Sequence, residues 1–238
     1  MAVITQKKSR RKKHLLKKFI GFLIIIAVIA GVGLGAVLLF NLGGDTPGAN
    51  SLRKISLDSV QTQLEDQTWI SQVLLPLNDY SRPGTKLHKI NALVIHYVGN
   101  PGTTAAQNRT YYSTLADTHE TSASSNFLIG LNGEILECVP ADEVAYCSNG
   151  RNNDTLSIEC CHPDVSGKFT AATNASLVQL TAYLCTALGL DSSDVIRHYD
   201  VTKKECPKYF VDHPDAWKQF RADVHEAMSI KQPISSVS

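Results

Sequence analysis

The chain has 238 residues, of which 43% are hydrophobic and 19% are charged, a globular composition with room for about one good-sized domain. Its formal net charge of +1 conceals an asymmetry: eight of the 23 Lys and Arg residues precede the first acid, Asp45, and the other 15 face 22 acidic residues, a net charge of −7. Nucleic-acid binding needs a basic face rather than a basic tail, so this composition argues against a nucleic-acid partner.

A segment without charge, residues 19–40, follows the basic tail in residues 1–18. As a helix it would extend about 33 Å at ~1.5 Å per residue, enough to cross a hydrocarbon core of ~30 Å. The segment therefore predicts a single-pass membrane anchor, with the basic tail in the cytoplasm and everything after Phe40 outside. The alternative is a signal peptide that is cleaved to release a secreted protein, although the apolar run exceeds the usual ~7–15 residues and shows no clear A-x-A site.

Residues 41–70 are predicted to contain a linker and then a short helix. The stretch NLGGDTPGANSL is rich in Gly, Pro and Asn and is typical of a tether between an anchor and a domain. The helix is predicted in SLDSVQTQLEDQTWISQVL, with Ser56 or Asp58 as its N-cap. The folded domain is predicted over residues 71–230, with a C-terminal tail in residues 231–238.

The domain alternates two kinds of pattern. Short β-branched runs predict strands in NALVIHYVG, NFLIGLNG, EILECVP, TLSIECC and DVIRHY, with a hairpin turn at Asn132 and Gly133. Helical periodicity occurs in TTAAQNRTYYSTLAD, NASLVQLTAYLCTALGL and HPDAWKQFRADVHEAM. Interleaved strands and helices favour parallel pairing, whereas a tight hairpin pairs two strands antiparallel. We therefore expect an α/β fold with a mixed central sheet flanked by helices.

The six cysteines form neither a dense disulfide framework nor a C-x-x-C pair. Disulfides would be permitted outside the membrane, but the sequence assigns no pairing. Cys185 lies on the apolar face of a predicted helix, which indicates a small buried hydrophobic residue.

Two histidines occur at the ends of predicted strands. His96 precedes the turn-forming GNPG, and His198 precedes a loop that carries Lys204 and Cys206. If the two strands are neighbours, His96, His198 and Cys206 could meet as three metal ligands and leave a fourth position for water, the pattern of catalytic zinc sites. The alternatives are a surface loop with a buried thiol, or a cysteine peptidase in which Cys206 is the nucleophile and a histidine is the base.

Four motifs, in order, carry a resemblance to a known family: VIHYVGNPGTTAAQNR, SSNFLIGLNGEILECVPADEVAY, NDTLSIECCHP and IRHYDVTKKECPKYF. The chain from about residue 75 to residue 227 resembles the type-2 zinc-dependent N-acetylmuramoyl-L-alanine amidases, which are related to phage T7 lysozyme and the peptidoglycan recognition proteins. The resemblance implies Zn²⁺ as cofactor, with His96, His198 and Cys206 as its ligands. It also implies that Lys204 stabilises the transition state and that Glu159 is the catalytic glutamate.

The implied substrate is peptidoglycan, cleaved between the lactyl group of N-acetylmuramic acid and L-alanine. Two positions depart from the family pattern: Ser125 and Asn126 precede the second strand where a histidine is common, and Tyr146-Cys147 replaces an aromatic-histidine pair. Related enzymes that use a glutamate suggest that Glu159 fills the catalytic role. Loop positions predict a glycopeptide groove lined by Arg82, Tyr97, Asn100 and Tyr146.

Each site residue also has a purely structural explanation. Glu159 could be an exposed, ion-paired strand residue, Lys204 a solvated lysine, and Cys147 a packed thiol rather than a substitute ligand. His119 and His162 are predicted to be surface histidines. The alternative function is a receptor of the same fold that binds peptidoglycan without cleaving it. Such receptors characteristically lose the metal-binding cysteine, whereas this chain retains Cys206.

Overall fold

The computed structural model describes residues 56–229. The basic tail, the predicted anchor in residues 19–40, the predicted linker up to residue 55 and the C-terminal tail therefore lie outside the described residues. Within residues 56–229, the helices lack the combination of length and apolar character that a membrane span requires.

The described part of the chain is built on a six-stranded sheet with the strand order β1-β4-β3-β5-β2-β6. β3 and β4 pair antiparallel across the turn at Asn132 and Gly133, and the other four neighbouring pairs are parallel. This confirms the predicted mixed sheet and its hairpin. The strands are β1 (Ile70–Gln72), β2 (Ala92–Tyr97), β3 (Phe127–Ile129), β4 (Ile135–Glu137), β5 (Thr155–Cys160) and β6 (Val195–Arg197).

Helices cover both faces of this sheet. The larger core joins one sheet face to four helices, and a smaller core joins the other face to the helix Ala105–Thr118, because neighbouring strand residues such as Phe127 and Leu128 point to opposite faces. The helices are α1 (Leu57–Glu65), α2 (Ala105–Thr118), α3 (Ala171–Leu188), α4 (His198–Thr202), α5 (Lys208–Asp212) and α6 (Pro214–Ser229), with a 3₁₀ turn at Asn149–Arg151. α1, α3, α5 and α6 form the larger core with the sheet.

Local signals in the sequence explain where the long helices begin and end. Thr104 forms a capping box with Gln107 at the start of α2, and Thr170 accepts a hydrogen bond from the backbone N–H of Thr173 at the start of α3. Gly189 ends α3 in the left-handed conformation with φ of 70°, which glycine adopts without strain. These caps fix the ends of the helices that pack on the sheet.

The segment before β2 differs from its prediction. The helix predicted through residue 74 ends at Glu65, and Ile70–Gln72 instead pairs in parallel with Ile135–Glu137 as an edge strand. The backbone N–H groups of this segment find partners in β4, for example Val73 N with Glu137 O at 3.1 Å. Ser56 is the N-cap residue of α1, but its side chain makes no capping hydrogen bond.

α1 is part of the folded body, although the sequence analysis places it in the linker segment. Val60 and Leu64 are fully buried in the larger core. Gln61 Oε1 accepts a hydrogen bond from the backbone N–H of Ala141 at 2.7 Å. Burying two large aliphatic side chains stabilises the fold by roughly 1.5–3 kcal/mol each, so α1 closes one side of the domain rather than tethering it.

Candidate active site

The site forms where β5, β2 and β6 end at their carboxyl edge. His96 lies near the end of β2 and is the register partner of Glu159 on β5, so both side chains project from the same sheet face. β6 ends at Arg197, whose partner on β2 is Ile95. His198 is therefore not the last strand residue, as predicted, but the first residue of α4. Adjacent parallel strands bring the two histidines together, as the sequence analysis required.

Three side chains converge at this edge with the spacing of a metal centre. His96 Nδ1 lies 3.1 Å from His198 Nδ1 and 3.9 Å from Cys206 Sγ, and all three side chains are buried. A tetrahedral zinc with Zn–N of about 2.0–2.1 Å and Zn–S of about 2.3 Å would hold its nitrogens ~3.3 Å apart and nitrogen and sulfur ~3.6 Å apart. The three residues therefore fit a zinc ion with little movement of the side chains.

The outer nitrogens of the two imidazoles bind neighbouring side chains. His198 Nε2 lies 2.7 Å from Asn149 Oδ1, an atom that can only accept, so this nitrogen carries the proton and leaves a lone pair on Nδ1. His96 Nε2 lies 3.2 Å from Ser148 Oγ, which can donate or accept. When Nε2 of His96 donates to Ser148, both Nδ1 lone pairs face the same point, an arrangement that a cation satisfies. Without a cation, Ser148 can donate instead, and His96 Nδ1 can then donate to His198 Nδ1.

Burial sets the protonation of these ligands. It lowers the pKa of His96 well below its ordinary value, with the charges of His198 and Lys204 acting in the same direction. Burial and Lys204 likewise lower the pKa of His198, so both imidazoles are neutral, the form that binds metals. Burial raises the pKa of Cys206 to about 12, against smaller opposing effects from the Tyr97 backbone and Lys204.

This state of Cys206 argues against a cysteine peptidase. A nucleophilic thiol needs a lowered pKa, usually beside a protonated histidine, whereas Cys206 is buried beside two neutral imidazoles. A bound metal ion, by contrast, deprotonates a coordinating thiol outright. The surroundings of Cys206 therefore suit a ligand better than a nucleophile.

Glu159 presents one free carboxylate oxygen beside the ligand cluster. Its Oε1 accepts a hydrogen bond from Cys147 Sγ at 3.4 Å, while Oε2 is shielded from solvent and has no hydrogen-bond partner in residues 56–229. Burial raises the pKa of Glu159 to about 7, although Cys147 and the charge of Lys204 oppose this shift. Glu159 is therefore not an exposed strand residue in an ion pair, which was the alternative to a catalytic role. A carboxylate that titrates near neutral pH is suited to general acid-base chemistry.

Lys204 is exposed on the segment between α4 and Cys206. Its positive charge is felt at the site, where it lowers the pKa of both histidines and favours the ionised form of Glu159. A cation at this position is suited to negative charge that develops on a bound substrate. The role of Lys204 in stabilising a transition state stays a prediction.

Arg82 is engaged by the protein itself. Its Nε lies 2.8 Å from Glu143 Oε2, its second terminal nitrogen lies 3.1 Å from Glu143 Oε1, and its first terminal nitrogen donates to the carbonyl of Leu75 at 2.8 Å. This bidentate ion pair ties the loop before β2 to the loop after β4 and explains Arg82 as a structural cation. A contact between Arg82 and substrate stays a prediction.

The other three predicted groove residues lie near the carboxyl edge in different environments. Tyr97, directly after His96, is half-buried and stacks on His162 with ring centroids 5.0 Å apart. Asn100 is exposed in the turn after β2, where its carbonyl accepts from the Thr103 hydroxyl at 2.8 Å. Tyr146 is half-buried and packs against the larger core. Contacts of these three residues with substrate stay predictions.

The two histidines that were predicted to lie on the surface differ from each other in burial. His119 is exposed and stacks on Tyr80, as expected for a surface histidine. His162 is buried, so the prediction that it lies on the surface is wrong. Its Nδ1 lies 2.7 Å from the carbonyl of Asp164, and its ring packs on Tyr97, because the loop after β5 folds back over the end of β2.

Sequence reasoning missed Ser148 and Asn149, the partners of the two histidines. Both contacts span about fifty positions of sequence, which no local pattern indicates. The one available signal was the run of small residues in CSNG, which begins at Cys147, where the sequence departs from the family's aromatic-histidine pair. Cys147, weighed there as a packed thiol, is half-buried and contacts Glu159.

Fold and site together define a class of protein in which a mixed sheet presents a cluster of metal-binding side chains beside a buried carboxylate, the set that metal-assisted hydrolases use. The chain belongs to the N-acetylmuramoyl-L-alanine amidase family, whose model matches residues 86–209. The match contains the two histidines, the cysteine and Glu159.

Individual relatives agree with this assignment. The chain is 30% identical over 167 residues to the N-acetylmuramoyl-L-alanine amidase CwlL of Bacillus licheniformis, an alignment that covers 65% of this chain and 46% of that protein. It is 30% identical over 178 residues to the amidase BlyA of Bacillus subtilis strain 168, covering 66% of this chain and 47% of the relative. The chain thus spans about half the length of the curated relatives it matches. Among solved structures, a mutant endolysin from Bacillus subtilis aligns with a TM-score of 0.55 at 26% identity, covering 65% of this chain and 97% of that one.

Proposed function

We propose that this protein is a zinc-dependent N-acetylmuramoyl-L-alanine amidase that hydrolyses peptidoglycan between the lactyl group of N-acetylmuramic acid and L-alanine. The observation that carries the proposal is the convergence of His96, His198 and Cys206 beside Glu159, whose Oε2 has no hydrogen-bond partner among residues 56–229. Membership of the amidase family and the names of its relatives support the same substrate.

The chemical problem is an amide, a poor electrophile that needs an activated nucleophile and stabilisation of the oxyanion. His96, His198 and Cys206 would hold the zinc. Because these ligands are two neutral imidazoles and one thiolate, the metal centre would keep a formal charge of +1. A zinc ion held there would supply a water molecule with its pKa lowered toward ~7 and would polarise the scissile carbonyl.

Glu159 handles the proton. Its free Oε2 accepts the proton of the attacking water, and the same carboxyl group then donates it to the nitrogen of the leaving L-alanine. Burial raises the pKa of Glu159 to about 7, which makes its carboxylate a stronger base toward the water proton than an ordinary glutamate. Once it has taken that proton, the same group can serve as the acid. Such proton transfer contributes about 10²–10⁴-fold in rate.

Lys204 would stabilise the developing oxyanion. It is the cation whose charge acts on both histidines and on Glu159, and its exposed position leaves the ammonium group free to approach a substrate. The receptor alternative predicts binding without turnover, and the complete ligand set favours the enzyme.

The test is digestion of purified peptidoglycan by the full-length protein, with products identified by mass spectrometry. An amidase releases stem peptides that begin with a free L-alanine amine and leaves glycan strands with free lactyl carboxylates. Chelation should stop the release, and added Zn²⁺ should restore it. Binding without release would indicate a receptor, whereas activity that resists chelation but not thiol alkylation would indicate a cysteine peptidase.

We also propose that residues 19–40 anchor the protein in a bacterial membrane, with residues 1–18 inside and the amidase domain outside. Support comes from the uncharged run and from the eight basic residues before it. Tags at each end, probed with protease on intact cells, test the orientation. A protected C-terminal tag together with an exposed N-terminal tag would refute it, and release of a shortened protein into the medium would indicate cleavage and secretion.

A further inference from the structure

We propose that three consecutive residues, Cys147, Ser148 and Asn149, act as a single positioning loop that holds both histidine ligands and the catalytic carboxylate in their working orientations. The inference rests on the proposed function, since it assigns these residues a role toward zinc and toward Glu159. The first of the three residues, Cys147, lies where the chain departs from the family's aromatic-histidine pair.

Each member of the positioning loop contacts a different site residue. Cys147 Sγ lies 3.4 Å from Glu159 Oε1, and Ser148 Oγ lies 3.2 Å from His96 Nε2. Asn149 Oδ1 lies 2.7 Å from His198 Nε2. Three functional side chains on β2, β5 and α4 are thus contacted by one short stretch of backbone.

The positioning loop is itself held in place. Asn152 Oδ1 accepts hydrogen bonds from the backbone N–H of Ser148 at 2.6 Å and from that of Cys147 at 3.2 Å. Asn149 adopts a left-handed conformation with φ of 52°, which asparagine tolerates better than most residues. The chain then makes the 3₁₀ turn and enters β5, the strand that carries Glu159. The three contacting side chains are therefore held by one fixed segment of backbone and do not take up their positions independently.

Ser148 and Asn149 have different effects on their histidines. The amide oxygen of Asn149 only accepts, so it fixes the proton on His198 Nε2 and keeps Nδ1 free for a metal. The Ser148 hydroxyl can donate or accept, so His96 can carry its proton on either nitrogen. His96 can thus share a hydrogen bond with His198 when no metal is present and turn its Nδ1 lone pair to the metal when one binds. Partners of this kind are worth about 10–100-fold in metal affinity or activity.

Cys147 acts on the carboxylate instead of on the ligands. By donating its S–H to Oε1, it fixes the rotation of the Glu159 carboxyl group, and Oε2 has no hydrogen-bond partner in the part of the chain that the structure describes. Oε2 is the oxygen to which the proposed mechanism assigns the proton transfer. Loss of the thiol should therefore disturb catalysis while leaving the metal in place.

The first experiment compares two replacements of Asn149 in the full-length protein in detergent. Asn149→Gly removes the acceptor without straining the left-handed backbone, and Asn149→Asp keeps an oxygen acceptor at the same position. The matched control is Asn153→Gly, since Asn153 is exposed and its side chain makes no hydrogen bond within residues 56–229. Zn²⁺ affinity is measured by competition with a chromophoric chelator. We expect Asn149→Gly to weaken Zn²⁺ binding about 10–100-fold and Asn149→Asp to recover most of the loss.

The second experiment separates the other two residues. We expect Ser148→Ala to weaken Zn²⁺ binding, whereas Cys147→Ala should keep parental Zn²⁺ affinity but lower kcat on a soluble muropeptide by about 10–100-fold at unchanged KM. Cys147→Ser, which keeps a donor, should recover part of that rate.

These measurements distinguish the proposal from its alternatives. If Ser148→Ala and Asn149→Gly lower only the melting temperature of the metal-free protein and leave Zn²⁺ affinity at the parental value, the positioning role is refuted. Equal rates for Cys147→Ala and the parent would refute the role assigned to Cys147. If the parent binds Zn²⁺ and responds to the loop variants but hydrolyses no muropeptide, the proposed enzymatic function fails while the positioning of the ligands stands.

Discussion

Glu137, at the end of β4, should make the stability of the domain fall as the pH rises toward neutrality. It is fully buried, its Oε1 accepts a hydrogen bond from the backbone N–H of Ala141 at 3.1 Å, and its Oε2 has no hydrogen-bond partner in the described part of the chain. Burial raises the pKa of Glu137 from 4.5 to about 7. The folded state therefore holds this proton more tightly than the unfolded state does.

The sign and size of the effect follow from linkage. Below pH ~4.5 the carboxyl group is protonated in both the folded and the unfolded state. The stability associated with burying the neutral group is therefore fully present there. Between about pH 4.5 and 7 the free energy of unfolding falls by up to ~1.4 kcal/mol per pH unit, and a shift of about 2.5 units corresponds to a loss of about 3 kcal/mol above pH 7.

Glu137→Gln should remove this dependence, because the amide keeps an oxygen for the Ala141 N–H and carries no charge. Urea unfolding of the compact unit Lys54–Ser238, kept metal-free with a chelator, measures parent and variant between pH 4.5 and 8.5. The variant should match the parent at pH 4.5 and exceed it by up to about 3 kcal/mol at pH 8.5. Glu159 titrates in the same range but is present in both proteins, so the difference isolates Glu137. The exposed Glu226→Gln serves as control, and a pH-independent difference for Glu137→Gln would refute the reasoning.

Three further predictions address the site and the core. Cys206→Ser should lose both stoichiometric zinc and amidase activity, since a hydroxyl is a far weaker zinc donor than a thiolate, and retention of zinc at parental affinity would contradict the ligand role. Glu159→Gln should keep its zinc by metal analysis but lose about 10²–10⁴-fold in kcat on muropeptides, and near-parental turnover would return Glu159 to a structural role. Leu64→Ala should lower the free energy of unfolding by about 2–5 kcal/mol, measured in urea, because α1 is buried in the core; a change below ~0.5 kcal/mol would place α1 outside the domain.

Much of the site could be predicted because it depends on local signals. A histidine at the end of a β-branched run, followed by glycines, lies at a sheet edge whatever the rest of the fold. The run at His96 has these features, whereas His198 directly follows its strand and begins α4. The two strands needed only to be neighbours in the sheet to bring the ligands together. The hairpin at Asn132 and Gly133 was visible for the same reason, since its turn residues specify it locally.

The features that could not be predicted depend on distant partners. Ile70–Gln72 is too short to show the alternation of apolar and polar residues that predicts a strand. It becomes a strand through its pairing with β4. Arg82 lies 61 positions from Glu143, so the sequence could not show that this cation is already paired. The burial of His162 arises from the fold of the loop over Tyr97, and a single histidine beside a proline carries no signal of it.

The strand order has a consequence for when the site can exist during synthesis. β2 and β6 are neighbours in the sheet, yet His96 and His198 are 102 positions apart, and His96 and Cys206 are 110 apart. Closing so long a loop in an unfolded chain is entropically unfavourable, and the loss is recovered only when the intervening strands and helices pack. A nascent chain that ends before Cys206 lacks the third member of the ligand cluster, even when both histidines have been made. The complete ligand set can therefore form only after most of the domain has been synthesised.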